Sequence, residues 1–78
     1  MDKIKVYSTP TCPWCKKLKG WLDEKGVKYE DFDVSSDHEA AREMIEKSGQ
    51  MGVPQTDIGG KVIVGFDPDS IEKELEDA

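Results

Sequence analysis

The feature that most restricts this chain is an abrupt change of period near its start. Ile4, Val6 and Ser8 alternate with Lys3, Lys5 and Tyr7, a period-two pattern that reads as a strand. Beyond the Thr9-Pro10-Thr11 turn the period becomes helical. From Pro13 onward Cys15, Leu18 and Leu22 share one apolar stripe, because residues three and four apart lie on the same helix face. Pro13 suits the first helical position, where its missing N–H would have no intrahelical partner and its φ is already helical. Cys12-Pro13-Trp14-Cys15 therefore occupies a strand-to-helix junction. At a helix start, unsatisfied N–H groups and the macrodipole stabilise a thiolate, which makes Cys12 the exposed, reactive thiol. The stripe places Cys15 half-buried behind it.

The rest of the chain extends this unit. The first helix ends at Gly26 after Lys25, and Val27 to Asp33, followed by Val34, reads as a second strand. Two strands around one helix imply a parallel pair with a right-handed crossover. Ser36 and Glu39 have capping-box spacing, and Ala41, Met44, Ile45 and Ser48 continue with helical periodicity to Gly49. Gln55 to Ile58 and Lys61 to Val64 flank Gly59-Gly60, a pair suited to a tight hairpin. Asp67-Pro68 supplies the cap and first residue of a last helix with Ile71, Leu75 and Ala78 facing inward. The order is βαβαββα, an α/β class.

The 78 residues suffice for one small domain, 1–78, and no repeat, linker or low-complexity tract divides it. A net charge of −6 argues against nucleic acid, whose phosphates require clustered Lys and Arg. No apolar stretch has membrane-spanning length, and Met1-Asp2-Lys3-Ile4-Lys5 enters a strand pattern without a signal-peptide core. The expected location is the cytoplasm, where dithiols are mostly reduced and used catalytically.

Two cysteines two residues apart suit thiol–disulfide exchange, in which an accessible thiolate attacks a substrate disulfide and a sheltered partner resolves the mixed disulfide. A purely structural bridge is the weaker reading, because so small a ring constrains the unfolded chain little. Zinc normally takes four ligands; two cysteines and the distant His38 do not supply them, and no metal site is assigned. His38 reads as a first-turn helical residue. Trp14, between the cysteines, reads as one wall of a substrate groove, and Trp21 as packing. Lys16 and Lys17 follow closely enough to favour a thiolate, with Lys16 the chosen candidate. Glu72, Glu74, Glu76 and Asp77 form the wet face of the last helix.

Two further segments bear on binding. Val53-Pro54 leads into the third strand, where proline is tolerated. A cis bond there would turn the Val53 N–H and C=O outward to pair with an extended substrate. In Gly65-Phe66-Asp67, free N–H groups of the turn suit either a carboxylate ligand or simple capping of the last helix.

Taken together, the element order, Tyr7 through Cys15, Gly52-Val53-Pro54 and Gly65-Phe66-Asp67 resemble a glutaredoxin over nearly the whole chain. Ser48 to Pro54 and Val62 to Asp67 resemble the short bacterial and archaeal glutaredoxin-like proteins. The resemblance implies a thioredoxin-like fold, a four-stranded mixed sheet with helices on both faces. It implies Cys12 as nucleophile, Cys15 as resolving thiol, Pro54 as a cis proline, and a glutathione groove formed by Trp14, Val53, Pro54, Gly65, Phe66 and Asp67. In this groove Val53 pairs with the tripeptide backbone and the Phe66-Asp67 turn receives its γ-glutamyl end. No bound cofactor is implied; glutathione enters as reductant and co-substrate, disulfide-containing proteins as substrates, and the chain acts as a monomer. Thr9, Gly52 and Pro68 stand where many members carry lysine, threonine and aspartate. Pro68 after Asp67 resembles instead the glutaredoxin-like donors to ribonucleotide reductase, which are reduced by thioredoxin reductase. A glutathione-bridged iron–sulfur scaffold is the third reading, disfavoured by Pro13.

Overall fold

In the computed structural model, which describes residues 4–77, the alternating run forms β1 (Ile4–Ser8) and the helical stripe forms α1 (Pro13–Glu24). They are followed by β2 (Glu30–Asp33), α2 (His38–Ser48), β3 (Gln55–Ile58), β4 (Lys61–Val64) and α3 (Pro68–Asp77). Lys3 in the first strand and Ala78 on the last helix lie outside the described residues. Among the described residues, no helix is long and apolar enough to cross a membrane.

The four strands run β2-β1-β3-β4. β1 pairs parallel with β2, from Lys5 opposite Glu30 to Ser8 opposite Asp33. It pairs antiparallel with β3, from Ile4 opposite Ile58 to Tyr7 opposite Gln55. β4 returns antiparallel along β3 through the Gly59-Gly60 turn. The sheet is therefore mixed, with its two central strands antiparallel to each other.

Both faces are covered. Val6, Leu18, Leu22, Ile58 and Ile71 form the larger core between the sheet and α1 and α3, with Trp21, Phe66 and Leu75 packed against it. Tyr7, Ala40 and Met44 form the smaller one beneath α2, joined by Phe32, Val34 and Val53. Tyr7, which the alternation groups with the lysines, is thus fully buried. Its ring stacks on Phe32, its partner across the parallel pair, at 5.6 Å between centroids.

Two boundaries and one buried face differ from those read in the sequence. β2 begins at Glu30 rather than Val27, because the Val27 N–H closes the end of α1 on the Leu22 carbonyl at 3.0 Å. With the Gly26 N–H on the Asp23 carbonyl at 3.1 Å and Gly26 at φ 71°, this is a Schellman termination. Asp37, not Ser36, caps α2: its Oδ1 accepts from the Ala40 N–H at 3.1 Å, while Ser36 is drawn back to the Asp33 carbonyl. The buried stripe of α2 is Ala40 and Met44, leaving Ile45 exposed.

Beneath α2, Lys47 Nζ bonds Asp57 of β3 and the Tyr7 hydroxyl and pairs with Glu43 at 2.9 Å. Burial works against the Lys47 charge, but these partners together raise its pKa above the ordinary lysine value. The network gives the buried Asp57 carboxylate the counter-charge it needs.

The stripe assignments make a prediction. Leu18→Ala opens a cavity in the larger core and lowers stability by about 2–5 kcal/mol. Ile45→Ala, on the exposed flank of α2, changes it by about 0.5 kcal/mol or less. Urea midpoints of the two variants check both, and equal losses would contradict the layer assignment.

Candidate active site

The helix start places the two thiols in different surroundings. Cys12 is the N-cap of α1, with extended backbone at φ −89°, and its Sγ accepts the Cys15 N–H at 3.2 Å. Its own N–H returns to the Thr9 carbonyl at 3.3 Å, which folds the Thr9-Pro10-Thr11 turn under the motif. Cys12 remains partly exposed, while Cys15 is 0% exposed, deeper than the half-burial its position suggests. Both thiols are free.

Burial is the main reason Cys15 is pushed up from 9.0 to about 11, with its hydrogen bond to Cys12 acting in the same direction. The Thr9 backbone and the Lys19 charge pull the other way. At neutral pH Cys15 is therefore a thiol, held close to Cys12 by the first turn of the helix.

A groove of about 300 Å³ is lined by Trp14, Val53, Pro54, Gly65 and Phe66. Trp14 is 56% exposed and forms an open wall, with Lys17 Nζ lying 4.5 Å from the centre of its ring. The opposite side is built by two loops joined to each other: the Gly65 N–H donates to the Pro54 carbonyl at 2.7 Å. Gly65 makes that approach at φ 84°, a conformation in which a side chain would be strained. The Val53–Pro54 peptide is cis, and Pro54 precedes β3 instead of opening it. Phe66 also meets Trp21 edge-on at 6.2 Å, so one wall is anchored in the larger core.

One residue of the expected site is placed differently. Asp67 is not among the groove-lining side chains; its Oδ1 accepts the Ser70 N–H at 3.3 Å and its Oδ2 the Ser70 hydroxyl at 2.9 Å, so the carboxylate caps α3. Lys16 is exposed on α1. Trp21 packs against the core, as its position beside the stripe implies.

One residue important to the groove has no chemical signature in the sequence. Gln55 is 0% exposed, and its Nε2 donates to the Gln50 carbonyl at 3.1 Å and the Gly52 carbonyl at 2.7 Å. It fastens the loop that presents Val53. A glutamine in a strand reads as an ordinary polar position; only its place directly after Pro54 gives any hint.

Two predictions arise here. Gln55→Leu keeps the volume but releases both carbonyls, so stability falls by about 1 kcal/mol while exchange-broadened transverse NMR relaxation at the Val53 amide accelerates beyond the average for the sheet. Uniform acceleration would mean that Gln55 is only a packing residue. The second concerns pH: in the reduced protein the unfolded chain loses the Cys15 proton near the ordinary 9.0, whereas the folded chain holds it to about 11. The Cys15 contribution to stability is intact below 9 and is lost as pH rises toward 11. Urea midpoints across that range fall less steeply in Cys15→Ala.

Comparison with known proteins agrees with this geometry. The glutaredoxin family model matches residues 4–63. The chain is 48% identical over 73 residues to an uncharacterised glutaredoxin-like 8.6 kDa protein in the rubredoxin operon of Clostridium pasteurianum, covering 94% of this chain and 97% of that one. Among solved structures, it is similar to the thioredoxin-like protein BC3987, with a TM-score of 0.88, 34% identity and coverage of 94% and 100%. It is also similar to the glutaredoxin-like protein NrdH-redoxin from Escherichia coli, described as having a thioredoxin-like activity profile, with a TM-score of 0.80, 27% identity and coverage of 91% and 92%. With its thioredoxin-like sheet, its paired thiols at the start of α1 and a family match covering most of its length, this chain belongs to the glutaredoxin family.

Proposed function

We propose that the protein is a dithiol oxidoreductase that reduces protein disulfides or glutathione mixed disulfides. The observation that carries this reading is the contrast between a partly exposed Cys12 at the head of α1 and a fully buried Cys15 behind it, with a groove at their side. The Cys12 thiolate attacks one sulfur of the substrate disulfide, forming the Cys12–substrate bond as the substrate S–S bond breaks. The first substrate half departs as a thiolate and takes up a proton. Cys15 then loses its proton and attacks Cys12 Sγ, releasing the second half as a thiol and leaving the Cys12–Cys15 disulfide. Two electrons have moved to the substrate, and an external reductant restores both thiols.

Substrate selection is assigned to the groove. Trp14 and Phe66 supply apolar walls, and Val53 is the backbone segment against which an extended peptide would pair. The Pro54 carbonyl is already used by Gly65, which leaves Val53 as the pairing residue of that loop. A glutathione γ-glutamyl carboxylate would meet the turn N–H groups at Phe66 and Asp67 rather than the Asp67 side chain, which is engaged with Ser70. Lys16, exposed just past Cys15, adds positive charge beside the thiol pair.

A second reading concerns the reductant. Thr9 and Pro68 stand where many members of the family carry lysine and aspartate, and the likeness to NrdH-redoxin favours reduction by a thioredoxin reductase. A lysine–carboxylate pair at an exposed site is worth only about 0–1 kcal/mol, so the missing lysine weakens glutathione binding without abolishing it.

One experiment addresses both. Turnover of a disulfide substrate is followed by NADPH consumption, with glutathione plus glutathione reductase in one assay and thioredoxin reductase in the other. Cys12→Ser abolishes turnover in both, and Cys15→Ser retains only reactions of monothiol type. Full activity of Cys12→Ser would overturn the oxidoreductase reading, while turnover with thioredoxin reductase alone would remove glutathione from it.

A further inference from the structure

The dithiol mechanism leaves one step without an obvious agent. Cys15 must shed a proton inside the protein, yet its burial holds that proton firmly. The groups whose fields reach it are few: Cys12 from the head of α1, which opposes its ionisation, the Thr9 backbone from the preceding turn, and Lys19, which favours it.

Lys19 lies one turn past Cys15 on α1, hence on the same face of the helix. It is not a loose surface cation. Its Nζ is 3.0 Å from Asp31 Oδ2 on β2 and 3.4 Å from Ser8 Oγ at the end of β1. Ser8, itself buried, donates to Asp31 Oδ1 at 2.7 Å, closing a three-membered ring of contacts. The parallel pairing makes this possible: it places Val6 opposite Asp31 and Ser8 opposite Asp33, so Ser8 and Asp31 approach each other diagonally across the two strands. A long, flexible lysine is thereby pinned at the end of β1, one helical turn from Cys15, while Asp31 moderates its charge.

We infer that Lys19, held by Asp31 and Ser8, is a positioning residue for the resolving step, its fixed positive charge stabilising the Cys15 thiolate as that sulfur attacks Cys12. This inference rests on the dithiol reading above. In the step, Cys15 S–H loses its proton to solvent, the Cys15–Cys12 S–S bond forms, and the Cys12–substrate S–S bond breaks with its electron pair leaving on the substrate sulfur. Lys19 takes no part in bond making or proton transfer. The Cys12 attack that precedes it does not depend on Lys19.

The test separates the two steps with dithionitrobenzoate as a one-equivalent probe in stopped flow. Attack by Cys12 releases the first coloured thionitrobenzoate anion, and attack by Cys15 on the resulting mixed disulfide releases the second. Lys19→Met and Lys19→Gln each remove the charge; Lys19→Arg preserves it. Each tenfold loss of thiolate is partly offset by greater nucleophilicity, leaving a net slowing of about threefold. The second release therefore slows at neutral pH in both uncharged variants, by about threefold for every tenfold of thiolate lost, and its pH–rate midpoint moves upward. The first release stays at the wild-type rate, and Lys19→Arg restores the second. A second release in the uncharged variants with the wild-type rate and pH profile overturns the inference. Absence of the first release in the wild-type protein would overturn the dithiol reading itself, and Lys19→Arg behaving like Lys19→Met in a folded protein would reduce Lys19 to a packing role.

Discussion

The antiparallel pairing of β1 with β3 is the constraint on which the rest of the molecule depends. Tyr7 lies opposite Gln55, so the chain leaving β1 toward Cys12 and the chain entering β3 from Val53-Pro54 meet at the same end of the sheet. β3 and β4 repeat the effect, with Gln55 opposite Val64, and deliver Gly65 and Phe66 to that end as well. Segments about forty residues apart in sequence, such as Cys12 and Val53, are thus gathered by main-chain hydrogen bonding, and the 2.7 Å bond from Gly65 to the Pro54 carbonyl locks two of the loops together. A shift of one residue in this register would turn Val6 away from the larger core and Tyr7 away from the smaller one, so the packing of both faces protects the site's alignment.

Much of this arrangement is legible in the sequence because the informative residues act locally. The period change at Cys12, the proline at the first helical position and the Gly59-Gly60 turn each specify backbone conformation within a few residues, and the elements they delimit appear where expected. The groove is legible for a different reason: Trp14, Val53 and Pro54 lie within the family match, and Gly65 and Phe66 follow it directly after β4. The less legible features are those in which several residues were equally suited. Ser36 and Asp37 are both good caps, and the choice follows from the Ser36 hydroxyl donating to the Asp33 carbonyl while the Asp37 carboxylate meets the Ala40 N–H. Ala40 and Ala41 differ only in which faces Tyr7, a matter decided by how α2 seats on the sheet.

Polar residues were the hardest to read. Gln55 and Asp57 sit at positions where a sequence pattern anticipates solvent or a plain strand, and Ser8 shares a face with Ile4 and Val6; all three are buried. Each makes sense only through a partner distant in the chain: Gln55 through the carbonyls of Gln50 and Gly52, Asp57 through Lys47, and Ser8 through Asp31 and Lys19. Burying such groups is costly unless they are hydrogen-bonded, so they mark the places where the sheet ends and the helices must be held in one relation.

These pinned contacts also explain how a small domain keeps a reactive thiol pair in order. α1 is fixed to the sheet by Leu18 and Leu22 along its buried stripe, and by Lys19 on Asp31 beside it. Movement of its first turn would separate Cys12 from the Cys15 N–H and alter the depth at which Cys15 lies. The opposite wall is stiffened independently, by Gln55 from below and by Phe66 against Trp21. What remains open is the space between, bounded by the exposed ring of Trp14 and the Val53 backbone. This frame leaves Cys12 partly accessible and closes Cys15 off from solvent. The difference in exposure between the two cysteines is therefore a consequence of where α1 begins: one residue caps the helix and the other, three positions later, is carried by the helical repeat into the core.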